Sequence, residues 1–135
     1  MKKVTIGMAA ILFACLAVSA FAHHSAAGID RNKTVTVEGV VKEFKWGNPH
    51  SWLDVEVPNA KGGSDVWSFE MNPPAYLVRN GWKSNSVKAG DKIKVSGHPF
   101  MNGDPGGIFM SVTLSTGQTL GAGASPSSPA QPAAK

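Results

Sequence analysis

The chain has 135 residues, with 13 Lys+Arg against 9 Asp+Glu and a formal charge of +4, so it holds one domain and leaves an acidic partner to be tested. A single Cys excludes a disulfide scaffold and any Cys-rich zinc site, and 42% hydrophobic residues exclude wholesale disorder.

Residues 1–22 read as a secretory signal. Lys2 and Lys3 form a charged start, Ile6 to Val18 is uncharged and apolar, and Ala20-Phe21-Ala22 is a small-x-small cleavage site. The pattern predicts cleavage after Ala22 and a periplasmic or secreted chain. The apolar run falls short of the roughly 20 residues a spanning helix needs, so no stable membrane span is expected after cleavage. Phe13 is too bulky for a lipoprotein site ahead of Cys15. Cleavage removes Cys15, and stability then rests on packing alone. Residues 23–28 form an N-terminal arm, 29–120 a folded domain, and 121–135 a disordered Gly/Ala/Ser/Pro tail without aromatic or branched apolar residues.

The first predicted strand, over 34–46, is rich in β-branched residues. Val35, Val37 and Val41 share a face, while Phe44 and Trp46 have the opposite parity. A bulge or kink between Gly39 and Glu43 brings them back into register. Gly47-Asn48-Pro49-His50 is a turn. In the second strand, 52–57, Leu53, Val55 and Val57 point in, and Trp52, Asp54 and Glu56 point out. The third, 66–71, turns Trp67, Phe69 and Met71 inward. Asn72 as N-cap, Pro73 at the first helical position and Gly81 past the last turn predict a short helix over Pro73 to Asn80, burying Tyr76 and Leu77. The fourth strand, 92–95, buries Ile93 and Val95. Met101 to Gly107 is a polar loop. The fifth strand, 108–114, places Ile108, Met110, Val112 and Leu114 on one face. The order β-β-β-α-β-β predicts a mainly β, five-stranded OB-like barrel with one short helix between strands 3 and 4; a five-stranded sandwich or open roll is the rival.

Four histidines are the chain's most unusual chemistry. Cleavage makes His23 the amino terminus, where its α-amino and imidazole nitrogens together suit copper, and His24 follows directly. His50 falls in the loop between strands 1 and 2, and His98 leads into the loop between strands 4 and 5. Those loops border the usual binding face of an OB barrel. His23, His24, His50 and His98, with Met101 as a soft ligand, therefore form a candidate site for copper or another transition metal. No H-x-x-H or H-E-x-x-H spacing occurs, and solvated or capping histidines are the plain alternative.

Trp46, Trp52, Trp67 and Trp82 form a second group. Trp67 reads as core. Trp46 and Trp52 mark a ligand or partner face, or cover the barrel's open side by packing on each other or on the arm. Without Lys2, Lys3 and Lys135 the domain carries 10 basic and 9 acidic residues, alternating in sign, which argues against a nucleic-acid groove. No nucleophile constellation, phosphate loop or G-x-S-x-G is present, so no enzyme is read. Asp54, Glu56 and Glu70 read as solubility residues.

His23-His24-Ser25 after the signal, Val37-Glu38-Gly39-Val40-Val41, Trp46-Gly47-Asn48-Pro49-His50, Gly81-Trp82 and Lys88 to Gly97 together resemble a family of small exported bacterial proteins classed as a domain of unknown function. The resemblance covers about residues 23–120. It implies export and a compact β domain, and no activity. The reading is an exported binding or accessory module, metal-binding through its histidines. The alternative is a metal-free module docking a periplasmic or membrane protein through Trp46 and Trp52.

Overall fold

A computed structural model describes residues 28–123. His23, His24, the signal segment and tail residues 124–135 lie outside the described residues. The elements are β1 (Val35–Lys45), β2 (Ser51–Pro58), β3 (Ser64–Met71), α1 (Pro74–Arg79), β4 (Lys92–Pro99), β5 (Gly106–Leu114) and β6 (Thr119–Gly121). The sheet order is β3-β2-β1-β4-β5-β6, and a parallel pairing of β3 with β5 closes the first five strands into a barrel. The fold is mainly β, OB-like, with the one short helix between strands 3 and 4. β6 was not foreseen. It holds a single buried apolar residue, Leu120, and is only three residues long.

β1 serves two neighbours. Val35 to Val40 pairs with β4, and Val40 to Lys45 pairs with β2. The strand turns at Gly39, where a Cβ would lie 2.8 Å from Val55 Cγ1, so only glycine lets β1 pass this close over β2. The register then shifts between Val41 and Glu43, leaving Lys42 as the extra residue of a bulge. That shift is the predicted kink. It turns Phe44 inward opposite Leu53 and packs Trp46 against the core.

The core gathers Val41, Leu53, Val55, Phe69, Met71, Leu77, Trp82, Val95, Phe109 and Val112. Burying a side chain of this kind stabilises by about 1.5–3 kcal/mol. Trp82 reaches the core because α1 ends in a Schellman turn. The Trp82 N–H donates to the Leu77 carbonyl at 3.0 Å and Gly81 N–H to Val78 at 3.1 Å, with Gly81 at φ 85°. The turn drops Trp82 back onto Leu77 and between the rings of Phe44 and Phe109, at 5.7 and 5.5 Å. Its indole N–H donates to the Gly121 carbonyl at 2.8 Å, tying β6 to the barrel.

Three local expectations are corrected. The helix begins at Pro74, with Pro73 as N-cap at ψ 157°. A proline disfavours the helical region for the residue before it, so Pro74 excludes Pro73 from the helix. Asn72 does not cap; its amide donates to the Ala122 carbonyl at 3.0 Å. Of the proposed inner face of strand five, Ile108 and Met110 face out, Ile108 as the partner of Glu70 and His98. The ladder steps from Ser96↔Ser111 to Gly97↔Phe109, so Met110 is a bulge residue and Phe109 takes the core position. Finally, Gly106 and Gly107, assigned to a loop, begin β5. Their φ values of 133° and 154° and their missing side chains let β5 close on β3.

Candidate functional site

The outward positions of the barrel line up in two rows. Lys45, Trp52, Glu70, Ile108 and His98 are successive Cα partners across β1, β2, β3, β5 and β4. Beside them run Glu43, Asp54, Ser68 and Gly106. The loop before β2 is fastened by buried Ser51, whose hydroxyl meets both the N–H and the carbonyl of Gly47. The Asn48–Pro49 peptide in this loop is cis. The loop delivers His50 over β3, where its Nδ1 contacts Oε1 of Glu70.

Glu70 and Asp54 overturn their reading as solubility residues. They are 6% and 8% exposed, although their parity points them away from the core. Alternation gives a side chain's direction, and in a closed barrel its neighbours decide its exposure. A buried carboxylate needs partners. Asp54 accepts from Lys45 Nζ through one oxygen and from the Ser68 hydroxyl through the other, both at 2.7 Å. Glu70 has His50. The hydrogen bond to Asp54, then its charge and that of Glu43, hold the Lys45 ammonium pKa above its ordinary value of 10.5. No spacing in the sequence joins His50 to Glu70. Only the β2–β3 register brings them together, and a carboxylate placed opposite Trp52 on the neighbouring strand was the available signal.

The other candidate residues are placed as follows. Trp52 is half-buried on this face, between Lys45 and Glu70 in the row. Trp46 packs edge-on to Phe44 at 5.6 Å. His98 lies two strands from Glu70 across β5, roughly 10 Å at the spacing of neighbouring strands. Its Nδ1 is 2.7 Å from the Lys33 carbonyl oxygen. Met101 is exposed, and its N–H donates to the Gly28 carbonyl at 2.8 Å. With the Ile29–Phe100 bridge and an Asp30 N–H to Pro99 bond of 2.9 Å, this lays residues 28–30 along the end of β4. The Phe100 ring sits beside Gly106, which pairs with Ser68 of the outward face. Among the described residues, no three His, Cys, Asp or Glu converge in a metal-holding group.

Against this geometry, residues 10–110 match the pattern of DUF6152, a family of unknown function. The chain belongs to DUF6152. No curated protein and no solved structure matches it. DUF6152 membership therefore brings no activity with it, and the chemistry of this member is read from the outward face. No helix among the described residues is long and apolar enough to cross a membrane. A groove of about 770 Å³ also opens where β1, β4 and β5 meet, lined by Glu38, Val40, Lys92, Ile93, Lys94 and Leu114 among others. It shares no residue with the His50 face, and its charges are of both signs.

Proposed function

We propose that this DUF6152 member is an exported binding module that takes up a transition metal ion such as copper on its outer β2–β3 face, with His50 and the arm histidines His23 and His24 as ligands. The observation that carries this reading is His50 held on the buried carboxylate of Glu70, on a barrel whose residues 28–30 run along the end of β4. Imidazole nitrogens suit copper, zinc and nickel. A metal-ligating histidine commonly donates its second ring N–H to a carboxylate. From Gly28, the four residues back to His24 span at most roughly 14 Å when extended, enough to cross from the end of β4 to β3. Export through residues 1–22 would create the free amino group at His23 that completes the chelate.

The docking alternative has less behind it. Trp46 is engaged with Phe44 and Trp52 is half-buried, so the two do not form a fully exposed aromatic strip. The test is a copper titration of the chain beginning at His23, the same chain with one added N-terminal residue, and the His50→Ala variant. The native terminus is expected to bind tightest, and each change to weaken binding at least about tenfold, as losing one ligand from a chelate should. Equal affinity in all three, or none in the first, overturns the metal reading. Recovery of a periplasmic chain whose mass begins at His23 tests the export.

A further inference from the structure

The contact between His50 and Glu70 specifies more than proximity. A neutral imidazole has one N–H and one lone pair, and an ionised carboxylate only accepts. The nitrogen facing Glu70 is Nδ1. Glu70 cannot easily turn away: it sits inside β3 between buried Phe69 and Met71, with its side chain only 8% exposed. His50 is different, with 45% of its side chain open to solvent. We infer that Glu70 is a positioning residue that fixes His50 in the Nδ1–H tautomer, so that Nε2 is the lone-pair nitrogen His50 presents on the outer face. In water the Nε2–H tautomer of histidine is the commoner one, so the fold reverses the default. The inference rests on the metal reading for the ion Nε2 would take, and on the His50–Glu70 contact alone for the tautomer.

His98 supplies an internal control. Its Nδ1 also faces an acceptor-only group, the Lys33 carbonyl oxygen at 2.7 Å, so it too is held as Nδ1–H. That acceptor is backbone, and no substitution at position 70 removes it. The two histidines should thus start in one tautomer and part company when Glu70 is changed.

The experiment is ¹⁵N NMR of the imidazole rings at pH 8 on the chain beginning at His23, assigned with His50→Ala and His98→Ala. In the unsubstituted protein His50 should show the Nδ1–H pattern. In Glu70→Met, whose side chain fits a buried position, His50 should move to mainly Nε2–H while His98 stays unchanged. Glu70→Gln keeps a carbonyl acceptor and should retain part of the Nδ1–H population. Zinc, a diamagnetic probe, should shift His50 Nε2 rather than Nδ1, and Glu70→Met should lower its affinity about 10–100-fold. An Nε2–H or doubly protonated His50 in the unsubstituted protein overturns the inference, whether or not the variants fold. So does an unchanged His50 in folded Glu70→Met. An Nδ1–H His50 that takes up no metal supports the positioning role and removes the metal reading instead.

Discussion

β1 carries a lysine–carboxylate pair on each side of its bend, and the two pairs share their chemistry and their distance but not the burial of their carboxylates. Before the bend, Glu38 meets Lys94 of β4 at 2.6 Å, with the side chains 70% and 53% exposed. Beyond it, Lys45 meets Asp54 of β2 at 2.7 Å, but the Asp54 side chain is only 11% exposed. Water can replace the partner of Glu38 at almost no cost, so that pair contributes little. It cannot fully rehydrate Asp54, which also takes the Ser68 hydroxyl at its second oxygen. A distance alone therefore does not rank an ion pair. The half of β1 that pairs with β4 presents an ordinary solvated surface. The half that pairs with β2 frames buried carboxylates, and the candidate site lies there.

The most severe way to break this contrast is to remove the bend that separates the two halves. Gly39→Val puts a branched side chain against Val55 and the backbone of Glu56, neither of which can retreat. An overpacking cost of about 3 kcal/mol is expected, read as a loss in urea unfolding, with both halves of β1 affected together. A cost below about 1 kcal/mol would mean that β1 passes β2 less closely than described.

The next test sets the two carboxylates side by side. Asp54→Ala removes the acceptor for Lys45 and Ser68 and should lower the unfolding free energy by about 2 kcal/mol. Glu38→Ala should change it by less than about 0.5 kcal/mol. Equal effects would show that burial does not separate the pairs.

Residue by residue, the sequence makes one half of this contrast visible and hides the other. The bend could be read because Val35, Val37 and Val41 disagree in parity with Phe44 and Trp46, and a packed core tolerates no such disagreement without a bulge. The barrel followed from strand order and the helix stop at Gly81. Ile108 and Met110 misled because Ile108, Met110, Val112 and Leu114 alternate without a fault. Phe109 is equally apolar, and only the ladder with β4 decides between the two registers. Asp54 and Glu70 misled for a different reason. Alternation reports the side of the strand, while burial depends on residues brought in from β1 and from the loop carrying His50. The His50–Glu70 pair joins positions 20 residues apart through a cross-strand register that no local pattern encodes.

The smallest expected effect tests the buried pair through its exposed member. The folded-state pKa of Lys45 is raised, chiefly by its hydrogen bond to Asp54, whereas the unfolded chain titrates at the ordinary 10.5. A raised folded value means that the folded state holds the proton more tightly. The stabilisation is therefore fully present below pH 10.5 and is lost as the pH rises through the folded value. Lys45→Met has no such proton to lose. The stability gap between the unsubstituted protein and Lys45→Met should thus be constant at neutral pH and narrow on the alkaline side, followed by thermal unfolding at a series of pH values. In Asp54→Ala the same Lys45 loses its chief partner, so adding Lys45→Met to that background should leave only a shallow alkaline slope. A gap that stays constant through the alkaline range would mean that Asp54 is held by Ser68 alone. The half of β1 beyond the bend would then differ from the half before it in burial, but not in how tightly its lysine is engaged.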